Sequence, residues 1–99
     1  QKDEIKNADL TLSIDVIFHL VEDYAFKEYI TELFKRSNNY VIIYSTNFHK
    51  KYKSPHQLDR EFTSFIQTNI NNFKLVKKVK NPFKGDKTMS DFYIYKKTI

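Results

Sequence analysis

The sequence has no cysteine, no tryptophan, two prolines and a single glycine, Gly85, among its 99 residues. Without cysteine there can be no disulfide, no thiolate zinc site and no cysteine nucleophile, and that count leaves the redox compartment open. One glycine excludes both GxGxxG and Walker A loops, which need several glycines where backbone approaches phosphate. Long hydrophobic runs are missing too. The longest apolar stretches span about five residues, against the ~20 of a membrane helix. Nothing reads as a signal peptide, so the expectation is a soluble, cytoplasmic chain with no membrane association. The length allows one small domain at most.

Charge and aromatic side chains are plentiful. Seventeen Lys and Arg against twelve Asp and Glu give a net charge of +5. A basic balance points toward nucleic acid, because Lys and Arg neutralise phosphates and release counterions. The nine Phe and seven Tyr weaken that reading, since most fall where periodicity places a core and are not free to stack on bases. Nucleic acid is therefore the less favoured partner.

Residues 1–8 read as a polar lead-in. Leu10, Leu12, Ile14 and Val16 then alternate with Thr11, Ser13 and Asp15, the two-residue period of a strand with unlike faces. Asp23 suits the N-cap of a helix whose apolar positions Phe26, Tyr29, Ile30, Leu33 and Phe34 follow i, i+3, i+4, i+7, i+8. Lys35, Arg36 and Asn38-Asn39 close it. Tyr40 to Tyr44 is a continuous β-branched and aromatic run, expected to be a central strand covered on both faces. Phe48 to Lys53 reads as a basic loop. Ser54-Pro55-His56-Gln57 combines a capping serine, a proline at the first helical position and a glutamine three residues on, which predicts a helix start. Leu58, Phe62, Phe65, Ile66 and Ile70 would be its buried stripe, with Arg60, Glu61, Gln67 and Thr68 in solvent. Phe73 to Val79 predicts a lysine-flanked strand, residues 81–90 a loop, and Phe92 to Tyr95 a last strand closing an antiparallel hairpin.

The expected fold class is α/β, in the order β-α-β-α-β-β. Both crossover helices are expected on one face of the sheet. The other face then lacks cover, and the outer edge of the first strand is unprotected, so the chain reads as part of a larger α/β unit. Pairing with a second copy, as a homodimer, or with a missing half would supply the cover.

Chemistry is sought first where parallel strands end and a crevice opens. The first exit presents Asp15 and His19, which could serve as an acid/base pair or hold a divalent cation at i, i+4 spacing. Alternatively Asp15 caps the turn and His19 bonds backbone. The second exit presents Ser45-Thr46-Asn47. His49 and His56 have no further ligands at metal spacing. Lys50, Lys51 and Lys53 could steer an anionic substrate, although short cationic runs are usually solvated loops. No serine sits in a G-x-S-x-G elbow.

The run from Asp9 to Leu20, D-L-T-L-S-I-D-V-I-F-H-L, resembles the fourth strand and exit of class I S-adenosylmethionine-dependent methyltransferases, where D-L-V-L-S-x-D-V-L-E-H-L is a common form. The resemblance continues through the helix from Asp23 to Arg36, the strand from Tyr40 to Ser45, the run His56-x-x-x-Arg60-Glu61-Phe62-Thr63 and the last hairpin ending at Tyr95. It implies the C-terminal half of a seven-stranded, doubly wound, Rossmann-like sheet with an antiparallel last pair, here residues 1–99 as one half-domain. It further implies that Ile14 and Asp15 line the methyl-donor pocket and that His19 acts as base or acceptor-orienting residue. Some related enzymes bind a divalent cation through an acidic-x-x-Glu-His run at this turn. Here Phe18 replaces the glutamate, so no metal is expected. The glycine-rich loop that holds the methionine moiety, and the ribose and adenine positions, have no counterpart. The expectation is thus a fragment, truncated product or degenerate copy of an enzyme acting on an unidentified methyl acceptor, unable to bind S-adenosylmethionine alone. A non-enzymatic assembly module is the alternative.

Overall fold

A computed structural model describes residues 7–82 and 89–98. The chain is mixed α/β: a four-stranded mixed sheet with two helices among the described residues. Strand β1, Ala8–Ile14, leads through a 3-10 turn at Ile17–His19 into helix α1, Asp23–Lys35. Strand β2, Ser37–Ser45, follows, then a short hairpin of β3, Lys50–Lys51, and β4, Leu58–Asp59. Helix α2, Phe62–Asn69, precedes strands β5, Phe73–Val79, and β6, Asp91–Lys97. The expected order holds apart from the inserted β3–β4 hairpin. The expected loop at 81–90, with Gly85, and the lead-in at 1–8 lie largely outside the described residues.

The sheet runs β1-β2-β6-β5, with β1 parallel to β2 and β6 antiparallel to both neighbours. The run from Tyr40 to Tyr44 is therefore interior in the sheet, and β5 and β6 form the antiparallel end pair; the expected cover on both faces is not found, since Val41 and Ile43 are buried while Tyr40 is exposed and Ile42 and Tyr44 are only half-buried. One face carries Val41, Ile43, Tyr93, Tyr95 and Phe73, all buried, and packs with Phe26, Ile30 and Phe34 of α1 and Phe62 and Ile66 of α2 into one core. Both helices thus share a face. The i, i+4 spacing of Phe26, Ile30 and Phe34 puts all three on one side of α1, and each fully buried aliphatic side chain contributes about 1.5–3 kcal/mol. Rings meet edge to face across the layers: Phe34 on Tyr95 at 5.2 Å and Phe62 on Tyr93 at 4.9 Å between centroids.

The other face has no cover among the described residues. Leu10, Leu12 and Ile14 stand on it at 42, 53 and 55% exposure, whereas the polar Thr11 and Ser13 lie on the helix side. Thr11 Oγ1 donates to the Leu33 carbonyl at 2.9 Å, and the Tyr29 hydroxyl donates to Ser13 Oγ at 2.8 Å. The usual alternation of a half-covered strand is apolar inside and polar outside. In β1 it is reversed.

Several expectations need correction. The helix expected from Ser54 begins at Phe62. Ser54 Oγ accepts the His56 N–H at 3.2 Å, so the capping signal is spent on a local turn inside the hairpin, and Lys50 and Lys51 pair with Asp59 and Leu58. Asn38 and Asn39 do not close α1 but belong to β2. Asp23 is the first residue of α1, not its cap, because its carboxylate is committed to Arg60. Arg60, expected in solvent, has an 11% exposed side chain.

Candidate functional site

The exits of β1 and β2 lie at the same end of the sheet, since the strands are parallel and Ile14 pairs with Tyr44. The Asp15 N–H still donates to the Tyr44 carbonyl at 3.0 Å, and there the backbone turns, with Asp15 at φ 55°. A left-handed residue other than glycine costs about 1–2 kcal/mol, and aspartate is among the side chains that tolerate it. The turn therefore sets Asp15 outward as an exposed carboxylate directly after the half-exposed Ile14. Asp15 does not cap the 3-10 turn, whose N-cap is Val16 without a side-chain bond. Ile17, 1% exposed, anchors that turn in the core. His19 ends it, exposed, with its backbone N–H on the Val16 carbonyl at 3.0 Å and its ring 4.0 Å from that of Phe18. Ile14, Asp15 and His19 thus occupy one strand exit within six positions.

The β2 exit is tied down by side chains. Ser45, buried, donates to the Thr46 carbonyl at 2.9 Å. Thr46 Oγ1 donates to Asp59 Oδ1 at 2.7 Å, and the Tyr52 hydroxyl donates to the other oxygen of that carboxylate. Asp59 is only 4% exposed. This hydrogen bond raises the Tyr52 phenol above its ordinary value. Asn47 Oδ1 accepts the Thr63 N–H at 3.2 Å, and its Nδ2 donates to Thr63 Oγ1 at 2.9 Å. Asn47 thereby satisfies a first-turn donor of α2 from 16 positions upstream, the service a local N-cap normally performs.

Arg60 ties the segment after the first exit to the stretch between β4 and α2. Its Nε donates to the Leu20 carbonyl at 3.1 Å, Nη2 to the Val21 carbonyl at 2.7 Å and Nη1 to Asp23 Oδ1 at 2.8 Å. Its guanidinium also lies 4.7 Å from the Phe26 ring centroid. Arg60 holds the Asp23 carboxyl below its ordinary value, first through the hydrogen bond and then through its charge. The planar fork suits this four-way contact, which a lysine point charge cannot reproduce. The turn bearing His19 is thus fastened to the segment between β4 and α2.

Other candidates are dispersed. His49, Lys50, Lys51, Lys53 and His56 are exposed on or beside the hairpin, with Lys50 Nζ 5.0 Å above the Tyr52 ring. A groove of about 510 Å³ between the hairpin and residues 21–23 has His49, Lys51 and Tyr52 on one wall and Glu22 and Asp23 on the other. Among the described residues no three His, Cys, Asp or Glu are grouped to hold a metal ion. Sequence reasoning placed Thr46 and Asn47 at an exit but did not reach their bonds to Asp59 and Thr63, and it missed the clamp by Arg60. The clamp joins residues about 40 positions apart, and no local pattern announces it.

No family model, no curated protein and no solved structure matches this chain.

Proposed function

We propose that this chain is the C-terminal half of a Rossmann-like, S-adenosylmethionine-dependent methyltransferase sheet. The observation that carries the reading is the sheet order: a parallel pair, β1 and β2, continued by the antiparallel pair β6 and β5, with both helices on one face. The Ile14–Asp15 exit adds support, because it offers an apolar side chain and a carboxylate side by side at the end of a parallel strand. The residues present fit only one wall of a cofactor site. The cradle of backbone N–H groups that a glycine-rich loop supplies is not available from a sequence with one glycine.

When bound, S-adenosylmethionine supplies an electrophilic methyl group. On this reading Ile14 and Asp15 would line one wall of the methyl-donor pocket, Ile14 as an apolar surface and Asp15 as a hydrogen-bond acceptor, once the missing half completes it. His19, exposed five residues after Ile14, orients the methyl acceptor or takes its proton. Arg60, through the carbonyls of Leu20 and Val21, positions the segment that carries His19.

Calorimetric titration of the chain with S-adenosylhomocysteine tests the half-site. No heat of binding is expected, and micromolar affinity overturns the reading. The coding sequence upstream of Gln1 tests the parentage: an in-frame βαβ unit with a glycine-rich loop is expected, and an unrelated fold there removes the methyltransferase assignment.

A further inference from the structure

We infer that the open face of the sheet is a docking surface for an amphipathic helical layer that carries carboxylates where it crosses β5 and β6. Helical cover of this face is already implied by the doubly wound reading; the inference deepens it by assigning the charge of that layer, and the observations behind it stand without the methyltransferase assignment. It starts from the reversed alternation of β1, where Leu10, Leu12 and Ile14 face outward and Thr11 and Ser13 face the helices. Register carries the apolar face across the sheet: Leu12 beside Ile42 beside Ile94, and Ile14 beside Tyr44 beside Phe92 beside Val79. Phe92 and Val79 are 37 and 38% exposed. Together these side chains form apolar rows that run across the sheet, and contiguous exposed apolar surface marks interaction sites.

Two features select the occupant. A parallel pair such as β1 and β2 is normally covered by helices on both faces. Four strands about 4.8 Å apart offer room for two helices at the usual spacing of about 8–10 Å, as the opposite face does for α1 and α2. Charge selects the rest. Lys96 pairs with Tyr40 on one side and Lys74 on the other, and Lys77 pairs with Ile94, so three lysines share the open face at the β5 side. None of these cross-strand partners is acidic.

A second copy fits poorly. Face-to-face pairing requires a twofold axis in the plane of contact. An axis along the strands lays Lys74 and Lys77 on the partner's aliphatic β1, and an axis across them through the middle row lays Lys77 on its own copy and Lys74 on the apolar Val79 end. Either arrangement buries ammonium groups without a counter-charge. A helical layer with carboxylates over β5 and β6 leaves none unpaired.

The test uses the whole chain and two synthetic amphipathic helical peptides, identical on a leucine face and flanked either by glutamates or by lysines. The glutamate peptide is expected to bind about tenfold or more tightly than the lysine peptide, to weaken with added salt, and to shift the amide resonances of Leu10 to Ile14 and Phe92 to Lys96. Lys77→Glu with Lys96→Glu should reverse the preference. Both positions are exposed, and an unchanged far-UV spectrum verifies the fold. Equal affinities, no binding by either peptide, or shifts confined to the helix side overturn the inference. A homodimer in sedimentation that Leu12→Lys dissociates overturns it in favour of self-pairing.

Discussion

Tyr29 and Ser13 meet hydroxyl to hydroxyl at 2.8 Å between α1 and β1, with Ser13 only 1% exposed. This bond makes a polar strand face tolerable beneath a helix. Tyr29→Phe removes the donor to a buried oxygen and should destabilise the chain by about 1–2 kcal/mol. Ser13→Ala combined with Tyr29→Phe should cost less than the sum of the two single changes, because neither group is then left unpaired. Urea denaturation of the four chains measures both quantities.

Arg60→Ala strips the carbonyls of Leu20 and Val21 and the carboxylate of Asp23 of their shared donor. A loss of about 2 kcal/mol is expected for hydrogen bonds to a charged group. Hydrogen exchange should accelerate over residues 17–23 more than in β2. Arg60→Lys should recover only a small part, since an ammonium cannot fork.

Acid should weaken the same contact. Asp23 titrates below its ordinary value of 3.8 because Arg60 hydrogen-bonds it, so its contribution is fully present above that value. It is lost as pH falls through the lower, folded-state value. Arg60→Ala should flatten this acid limb of a stability-against-pH curve measured by thermal melting.

Alkali acts in the opposite sense. Burial, and then the neighbouring Tyr93, push the Tyr95 phenol well above its ordinary value of 10.0, and the Asp59 carboxylate raises Tyr52. Stability from a raised phenol is intact below pH 10 and declines as pH climbs toward the folded-state value. Tyrosinate absorbance should therefore show one group that ionises only with the loss of secondary structure, and Tyr95→Phe should remove it.

Substitution of an aliphatic residue on the open face of β1 should cost far less than substitution on the covered face of the neighbouring β2. Leu12→Thr, at a 53% exposed position, should change stability by no more than about 0.5 kcal/mol. Val41→Ala, fully buried on β2, should cost about 2–3 kcal/mol. Paired urea titrations decide it.

Much of this architecture is legible locally. The 3.6-residue period of Phe26, Ile30 and Phe34 reports their burial, and the unbroken run from Tyr40 to Tyr44 reports an interior strand, although only Val41 and Ile43 of it are buried. The alternation in β1 reports a strand, yet its direction is opaque, because Thr11 and Ser13 are tolerated inside only by partners on α1. The start of α2 at Phe62 is opaque for a related reason. Ser54 and Pro55 do form a turn, but Asn47, far upstream, supplies the helix with its cap. At the candidate site the residue types at the β1 exit could be read, whereas the left-handed backbone of Asp15 and the reach of Arg60 to Leu20 and Val21 arise only when distant segments are brought together.

In a cell, aliphatic strand surface left in water is what chaperones and proteases engage. Leu10, Leu12 and Ile14, at 42, 53 and 55% exposure, are surface of that kind. On the inference that a helical layer docks over them, the lifetime of the polypeptide should rise with the supply of that layer.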